Sequence, residues 1–253
     1  MNIFNKKSFD EKYIPYPLLD QDINDKKSDI KPTIITESNT NKNSQLDNIK
    51  ENEITILLIG ESGSGKTSMI KSLIYILEDK LPYNKPFDDI ISNTITYYYE
   101  DINSIAYIYN HQKSNTKITF VELPGIECKM DKILEDKMMN QSVDIVIQNC
   151  PKINFVIVTQ RGDQRSMNNY LYKVLMDLKG FYTDEKAFKI ILAFTFYADS
   201  LVFGIKSFKI DIETSIKVNN CVDVQKDNKK SEKKWEKCVK KLRNITNKLE
   251  LGS

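Results

Sequence analysis

The sequence predicts an α/β fold, a three-layer sandwich with helices on both faces of a mainly parallel central sheet. Two observations predict it. Short apolar runs recur from residue 53 onward, and segments with helical spacing of apolar residues lie between them. A strand buried on both faces needs apolar residues at nearly every position, so such runs are typical of a parallel sheet covered by helices. The alternation of the two kinds of segment favours one α/β domain.

Five segments are predicted as strands and four as helices. The strands are 54–59, 104–109, 117–121, 153–159 and 188–194, and the helices are 66–78, about 130–149, 166–178 and 232–249. Residues 1–52 are rich in Asn, Asp, Lys and Ser and lack apolar periodicity, which predicts a disordered polar arm. The folded domain is therefore expected to occupy residues 53–253 and to include a basic C-terminal helix.

Composition excludes several classes of function. The 37 basic and 35 acidic residues nearly cancel, and only three of the basic residues are arginines, so no general nucleic-acid binder is expected. Four widely spaced cysteines and a single histidine give neither a disulfide framework nor a zinc site, and they suit a reducing cytosol. The chain shows no signal peptide or spanning segment. We expect a cytoplasmic protein whose membrane contact, if it has one, is peripheral on an intracellular membrane.

A phosphate-binding motif directly follows the first predicted strand. Residues Gly60-Glu61-Ser62-Gly63-Ser64-Gly65-Lys66-Thr67, followed by Ser68, satisfy G-x-x-x-x-G-K-[ST] between a strand and a helix, the context of a P-loop. Glycines let successive backbone N–H groups turn toward one phosphate, and the helix presents its positive N-terminal end to the same anion. Lys66 is expected to reach the β- and γ-phosphates, and the Thr67 hydroxyl to bind Mg²⁺.

A second nucleotide motif is predicted after the 117–121 strand. Glu122-Leu123-Pro124-Gly125 lies where GTPases carry Asp-x-x-Gly, in which the carboxylate binds Mg²⁺ and the glycine N–H binds the γ-phosphate. Glu122 replaces the usual Asp, and its extra methylene changes where the carboxylate lies. The alternative is a proline-glycine turn that has no ligand.

The base reader is predicted at Asp199, after the 188–194 strand. One carboxylate can accept both N1–H and N2–H₂ of guanine, whereas adenine has no such pair of donors. Tyr197 stands where a lysine is usual, so an aromatic face would stack on the base. The alternative for Asp199 is a helix N-cap.

Together with residues 154–162, these motifs resemble the AIG-type GTPases, also called GIMAP or immunity-associated nucleotide-binding proteins. The resemblance covers about residues 53–249 and implies a G domain that binds GTP or GDP with Mg²⁺. It implies that Asn219 and Asn220 touch the base and that a switch threonine closes on Mg²⁺, with Thr94 as first choice and Thr96 as reserve.

The resemblance also implies a nucleotide-dependent homodimer. Ile126 replaces the glutamine that orients water in Ras-like enzymes, which predicts slow intrinsic hydrolysis. Arg161 is therefore predicted to act as a catalytic residue in the partner subunit's site, beside the lysine of the P-loop.

Three functions remain open from the sequence. The first is a guanine-nucleotide switch with slow, Mg²⁺-dependent GTP hydrolysis that dimerisation activates. The second is a degenerate G domain that serves as a non-hydrolysing assembly module, and the third is a P-loop ATPase or kinase. The basic C-terminal helix has two interpretations, packing on the domain or contact with anionic lipid.

Overall fold

The computed structural model describes most of the chain between residues 34 and 250. The described ranges are 34–37, 52–99, 102–125, 131–164, 168–183, 187–196, 210–218 and 226–250, without the side chains of 34–37 and 248–250. The chain divides into two units, Met1–Lys31 and Pro32–Ser253, and every described residue belongs to the second unit.

Eight strands and four α-helices form the described part of the chain. The strands are β1 (Ile34–Glu37), β2 (Asn52–Gly60), β3 (Asn93–Tyr99), β4 (Ile102–His111), β5 (Thr116–Glu122), β6 (Phe155–Arg161), β7 (Lys189–Thr195) and β8 (Thr214–Lys217). The helices are α1 (Lys66–Leu77), α2 (Lys132–Asn149), α3 (Asn169–Phe181) and α4 (Lys229–Glu250), and a 3-10 helix covers Phe87–Asp89.

All eight strands belong to one sheet, in the order β1-β3-β4-β5-β2-β6-β7-β8. The strand pairs from β5 through β2, β6 and β7 to β8 are parallel. The pairs β1-β3, β3-β4 and β4-β5 are antiparallel and form one side of the sheet. The sheet is mainly parallel, which confirms the predicted fold class.

The two faces of the sheet carry separate apolar cores. Ile54, Ile56 and Leu58 of β2 pack in a cluster with α1 and α4, whereas Leu57 and Ile59 pack in a cluster with α2 and α3. Successive side chains of a strand point to opposite faces, so a strand with helices on both sides is apolar at every position. This is why the run in β2 is continuous and the fold has three layers.

The carboxyl ends of the central strands meet at one edge of the sheet. β2 has parallel neighbours on both sides, β5 and β6, and its last residue Gly60 pairs with Thr159 of β6. From β2 the chain first builds the β5 side and then the β6 side, so β2 lies at the point where the strand order reverses. Ligand sites of open α/β sheets form at the carboxyl ends of the strands at this point.

Three strands were not predicted from the sequence. β1 lies inside the segment that was predicted as a disordered arm, and its pairing with β3 places it at one edge of the sheet. The rest of residues 1–51 lie outside the described residues. β3 contains Thr94 and Thr96, the two candidates for the switch threonine, and β8 has only four residues.

Candidate functional site

The P-loop connects β2 to α1 in the conformation that its glycines require. Gly63 and Gly65 have φ angles of +68° and +90°, in the left-handed region that side chains other than glycine rarely adopt. Gly65 is the N-cap of α1, and no acidic side chain lies in the first turn of this helix. The first N–H groups of a helix have no partner within the helix, so Lys66, Thr67 and Ser68 present donors and a positive dipole end at this place.

Side chains from two neighbouring strands hold the P-loop in place. The hydroxyl groups of Ser64 and Thr159 lie 2.7 Å apart, and Thr195 Oγ1 donates to the carbonyl oxygen of Ser64 at 2.7 Å. All three residues are buried. The loop is therefore fixed from β6 and β7, and sequence reasoning missed this contact because the three residues lie far apart along the chain.

Lys66 is buried against the loop that it follows. Its Nζ donates to the carbonyl oxygens of Gly60 and Glu61, each at 3.1 Å, and the residue is 6% exposed. Burial lowers the pKa of Lys66, and the nearby carboxylates of Glu122 and Glu61 oppose this effect. Among the described residues no carboxylate forms an ion pair with this ammonium group, and a phosphate group at the helix start would supply an anionic partner.

Two of the predicted metal ligands, Thr67 and Glu122, are in contact with each other. Thr67 Oγ1 donates to the Glu122 carboxylate, at 2.8 Å from Oε1 and 2.9 Å from Oε2. Glu122 is the last residue of β5 and pairs with Leu58, next to the strand that leads into the P-loop. The longer side chain of Glu122 thus reaches the hydroxyl group from the neighbouring strand.

These two groups fit Mg²⁺ in the way that nucleotide enzymes bind it. Among the described residues, no three His, Cys, Asp or Glu side chains come together as a metal cluster. Mg²⁺ usually needs only one or two carboxylates, because substrate phosphates and water complete its octahedral shell. A threonine hydroxyl and a carboxylate beside a phosphate site match this requirement.

A chain of amide groups joins the P-loop to the end of β6. Gln160 Nε2 donates to Gln164 Oε1, and Gln164 Nε2 donates to the carboxylate of Glu61. Glu61 is 6% exposed, so these contacts fix the position of a buried carboxylate inside the loop. Sequence reasoning missed these contacts because the glutamines lie about 100 residues away from Glu61.

Arg161 lies at the same edge of the sheet, as the last residue of β6. Its guanidinium group binds Asp163 through two contacts, from Nε to Oδ1 at 3.1 Å and from Nη2 to Oδ2 at 2.8 Å. The guanidinium carbon also lies 5.3 Å from the ring centroid of Phe196, which is 54% exposed and directly follows β7. Phe196 was not predicted as a site residue.

The structure does not bring the predicted switch threonines to the Thr67–Glu122 pair. Thr96 pairs with Ile105, which pairs with Glu122, so β4 separates it from the carboxylate. Two strand spacings correspond to about 10 Å, and Thr94 lies two residues further along β3 from this row. Ile95 and Tyr97, which alternate with these threonines along β3, pack against the core and keep this strand in the sheet.

Other predicted residues have the following places. Ser62 and Gly63 are exposed at the tip of the P-loop, and Gly125 follows β5 next to Ser62. The predicted base contacts Asp199, Asn219 and Asn220 lie outside the described residues. The same holds for Tyr197 and Ile126.

Comparison with known proteins gives low similarity to solved structures. No curated protein matches the sequence. The G domain of the T. maritima FeoB iron transporter is 14% identical, with 74% of this chain and 99% of that chain covered and a TM-score of 0.37. A dimerization-deficient mutant of Toc33 from Arabidopsis thaliana is 13% identical over 77% of this chain and 84% of that chain, with a TM-score of 0.44. A GTP-binding protein from Sulfolobus solfataricus in complex with GDP is 14% identical over 78% and 53%, with a TM-score of 0.41.

The family comparison covers nearly all of the described fold. The model of the KAP family P-loop domain matches residues 33–250, from the residue before β1 to the last residue of α4. The P-loop, its strand and its helix lie inside this range, which agrees with the P-loop NTPase fold of the structure. The chain belongs to the KAP family of P-loop domains.

Proposed function

We propose that this protein binds GTP together with Mg²⁺ at the P-loop and hydrolyses it slowly, as a nucleotide-dependent switch. The observation that carries the proposal is the grouping of three features at one helix start: the glycine loop, the buried ammonium group of Lys66 and the Thr67–Glu122 pair. Each feature matches a different part of a Mg²⁺-bound triphosphate.

The phosphates would replace contacts that Lys66 now makes with the protein. Its two present acceptors are neutral carbonyl oxygens. Phosphate oxygens carry negative charge, so an ammonium group binds them more strongly than it binds neutral carbonyl oxygens. Lys66 therefore gains energy by turning from the loop to the β- and γ-phosphates, and the adjacent helix dipole adds to the attraction.

Mg²⁺ would be held by Thr67 and Glu122. When bound, the ion neutralises charge that develops on the phosphate oxygens during transfer. The protein's own contribution is to keep the hydroxyl and carboxylate oxygens within 3 Å of each other on two fixed elements, β5 and α1. Pre-positioned ligands of this kind cost little reorganisation when the triphosphate arrives.

The choice of GTP rests on Asp199 and on the resemblance to AIG-type GTPases, with Asn219 and Asn220 as further base contacts. ATP is the second candidate nucleotide. An aromatic face such as the exposed ring of Phe196 stacks on adenine as well as on guanine, so stacking by itself does not exclude ATP.

Dimerisation is proposed as the activating step. Arg161 is one of three arginines in the chain, and its guanidinium group lies at the P-loop edge of the sheet. To act in a second subunit it must leave Asp163, and an exposed ion pair of this kind costs about 0.2–1 kcal/mol to break. A transition state that carries negative charge offers a stronger partner.

The test of nucleotide binding is a calorimetric titration of the protein with GTP, ATP and a non-hydrolysable GTP analogue, with and without Mg²⁺. We expect GTP to bind at least tenfold more tightly than ATP and the Lys66→Met variant to lose about 10–100-fold in affinity. Lys229→Met, at the first position of α4, is the matched control. Equal affinity of Lys66→Met and the wild type for GTP would refute the proposal. Tighter binding of ATP than of GTP would identify ATP as the nucleotide of this site.

Phosphate release then separates a hydrolase from a non-hydrolysing assembly module. Turnover per subunit should rise with protein concentration if the dimer is the active form, and Arg161→Ala should abolish this rise. First-order behaviour that the mutation leaves unchanged would remove Arg161 from the mechanism. Binding without any phosphate release would favour the module.

We also propose a cytoplasmic location, with membrane contact limited to the exposed lysines of α4. None of the described helices is long and apolar enough to cross a membrane. Trp235, Leu242 and Ile245 of α4 are buried in the core, so the helix keeps only its charged face for an anionic surface. Vesicle co-sedimentation at two salt concentrations tests this contact, since an electrostatic contact weakens at high salt.

A further inference from the structure

A cavity lies at the end of the sheet opposite to the P-loop, where β2 begins and β4 ends. It has a volume of about 380 Å³ and is lined by residues that include Asp79, His111, Lys113, Ser114, Arg243 and Asn247. His111 ends β4 and pairs with Thr116, which in turn pairs with Asn52 at the start of β2. Because α1 runs from the P-loop to this edge over 12 residues, about 18 Å separates the two places.

His111 has a buried nitrogen without a partner. The residue is 3% exposed, and its Nε2 makes no hydrogen bond to any described residue. Buried polar atoms are nearly always paired, so an unpaired one inside a polar cavity points to a missing ligand.

The hydrogen bonds around His111 fix which nitrogen carries the proton. Ser114 Oγ donates to Thr116 Oγ1 at 2.8 Å, and Thr116 Oγ1 donates to the carbonyl oxygen of Ser114 at 3.2 Å. The Ser114 hydroxyl can therefore only accept from His111, whose Nδ1 lies 2.6 Å away and must be the donor. In the neutral imidazole, Nε2 is then an acceptor, and in the imidazolium form it is a donor.

Arg243 gives the cavity its positive charge. Its guanidinium group makes no hydrogen bond or ion pair with a described residue, whereas Lys113 is paired with Asp79 at 2.5 Å. Exposed lysines lie on the same helix, including Lys237, Lys240 and Lys241. The carboxylate in the cavity is thus compensated, and the arginine is left to bind an anion.

The C-terminal end of α1 also lies at this cavity, and three of its last carbonyl groups are already hydrogen-bonded, so they repel an anion less. The carbonyl oxygens of Ile74, Tyr75 and Ile76 accept from the backbone N–H groups of Glu78, Lys80 and Asp79, respectively. Satisfied carbonyl groups leave less partial negative charge at a helix C-terminus.

We propose that this cavity binds the phosphate group of a phosphate monoester, with Arg243 donating to its oxygens and His111 Nε2 meeting its remaining oxygen or hydroxyl. A phosphate monoester can bond to His111 Nε2 whether the imidazole is neutral or protonated. The singly charged phosphate has a hydroxyl group that donates to the neutral imidazole, and the oxygens of the singly and doubly charged phosphate accept from the imidazolium form. A planar guanidinium group with several donors is well matched to phosphate oxygens. The volume is in the range of small-molecule sites, so the cavity holds more of the ligand than the phosphate alone.

His111 is the only histidine in the chain, so its imidazole is a specific probe of the cavity. The experiment is an NMR titration of the full chain, labelled at histidine, with glycerol 3-phosphate at fixed pH. We expect a saturable change of the imidazole signals, weakened about tenfold by Arg243→Gln. Lys234→Gln, an exposed lysine of the same helix outside the cavity, should leave the affinity unchanged. Lys66→Met should also leave it unchanged, since the P-loop is a separate site.

A parallel titration with phosphatidic acid vesicles identifies the source of the phosphate. Competition between the vesicles and glycerol 3-phosphate for the same imidazole change would assign a lipid head group, and binding of glycerol 3-phosphate alone would assign a soluble ester. Absence of a saturable change with both probes would overturn the proposal. Equal affinities of the folded Arg243→Gln variant and the wild type would overturn it as well.

Discussion

At the scale of single residues, the P-loop combines groups that are unfavourable by themselves. Lys66 is buried, Glu61 is buried in the same loop, and two glycines have positive φ angles. Burial of charges costs free energy, and such costs concentrate at functional sites. The glycines adopt the left-handed region without the strain that a Cβ atom would bring, so the loop can turn its backbone N–H groups toward one point.

Gly125 is a second close contact of this loop. A Cβ atom at this position would lie 2.6 Å from the backbone nitrogen and Cα of Ser62. We expect Gly125→Ala to lower the free energy of unfolding by about 1–3 kcal/mol, because the backbone on either side must move apart. Chemical denaturation measures this loss, and nucleotide affinity should fall with it.

Gly180→Ala is the matched control for this substitution. Gly180 lies in α3, and a Cβ atom there would meet nothing within 4 Å. Alanine is the better helix former, so this variant should be more stable than the wild type by about 0.5 kcal/mol. If both variants have the stability of the wild type, the contact between Gly125 and Ser62 does not exist in solution.

At the scale of elements, the sequence predicted those strands and helices whose pattern is local. β2, β5, β6 and β7 are buried on both faces and read as apolar runs, and α1 begins at the motif that marks it. β3 and β8 contain mixed polar and apolar residues of intermediate exposure, which also fit a loop.

The candidate site divides in the same way. The glycine loop, Lys66, Thr67 and Glu122 were predicted because motif spacing is a property of the sequence. The contacts of Ser64 with Thr159 and Thr195 depend on the order of strands in the sheet, which local spacing does not contain. The place of Thr94 in the sheet likewise depends on the pairing of β3 with β1 and β4.

α4 is an integral part of the fold and not an appended tail. Trp235 is 4% exposed and packs edge to face on Tyr75 of α1, with ring centroids 6.3 Å apart. We expect Trp235→Ala to lower the free energy of unfolding by about 3–5 kcal/mol, because it leaves a large cavity in the core. The exposed Lys237 of the same helix is the control, and its replacement by Ala should change stability by less than about 0.5 kcal/mol. A Trp235→Ala variant as stable as the Lys237→Ala variant would show that α4 does not pack on the domain in solution.

At the scale of the whole molecule, both faces of the sheet bury ionisable side chains. The face covered by α1 and α4 buries Tyr75, Tyr109 and Cys238, and the face covered by α2 and α3 buries Tyr170, Tyr182 and Cys150. Tyr170 is 5% exposed and Cys150 is 4% exposed. Tyr182 Oη donates to the carbonyl oxygen of Cys150 at 2.5 Å, so these groups lie close together between the helices and the sheet.

The buried tyrosine and cysteine groups predict that the protein loses stability in alkaline solution. Burial raises the pKa of Tyr170 from 10.0 to about 12 and that of the Cys150 thiol from 9.0 to about 12. The folded state keeps these protons at a pH where the unfolded chain has released them, so the free energy of unfolding falls as pH rises from about 9 to 12. The higher pKa of Tyr170 in the folded state corresponds to a loss of at most about 2–3 kcal/mol in the free energy of unfolding at high pH.

Denaturation curves measured at several pH values between 8 and 12 test this expectation. Tyr170→Phe removes one of the titrating groups and should make the fall between pH 10 and 12 shallower, with little change at pH 8 because the Tyr170 hydroxyl makes only a 3.3 Å contact with Ser142. Tyr172→Phe, a more exposed tyrosine of the same helix, should leave the slope unchanged. If Tyr170→Phe and the wild type fall equally steeply, the Tyr170 hydroxyl is solvated in the folded protein, and the face between α2, α3 and the sheet is more open than this structure has it.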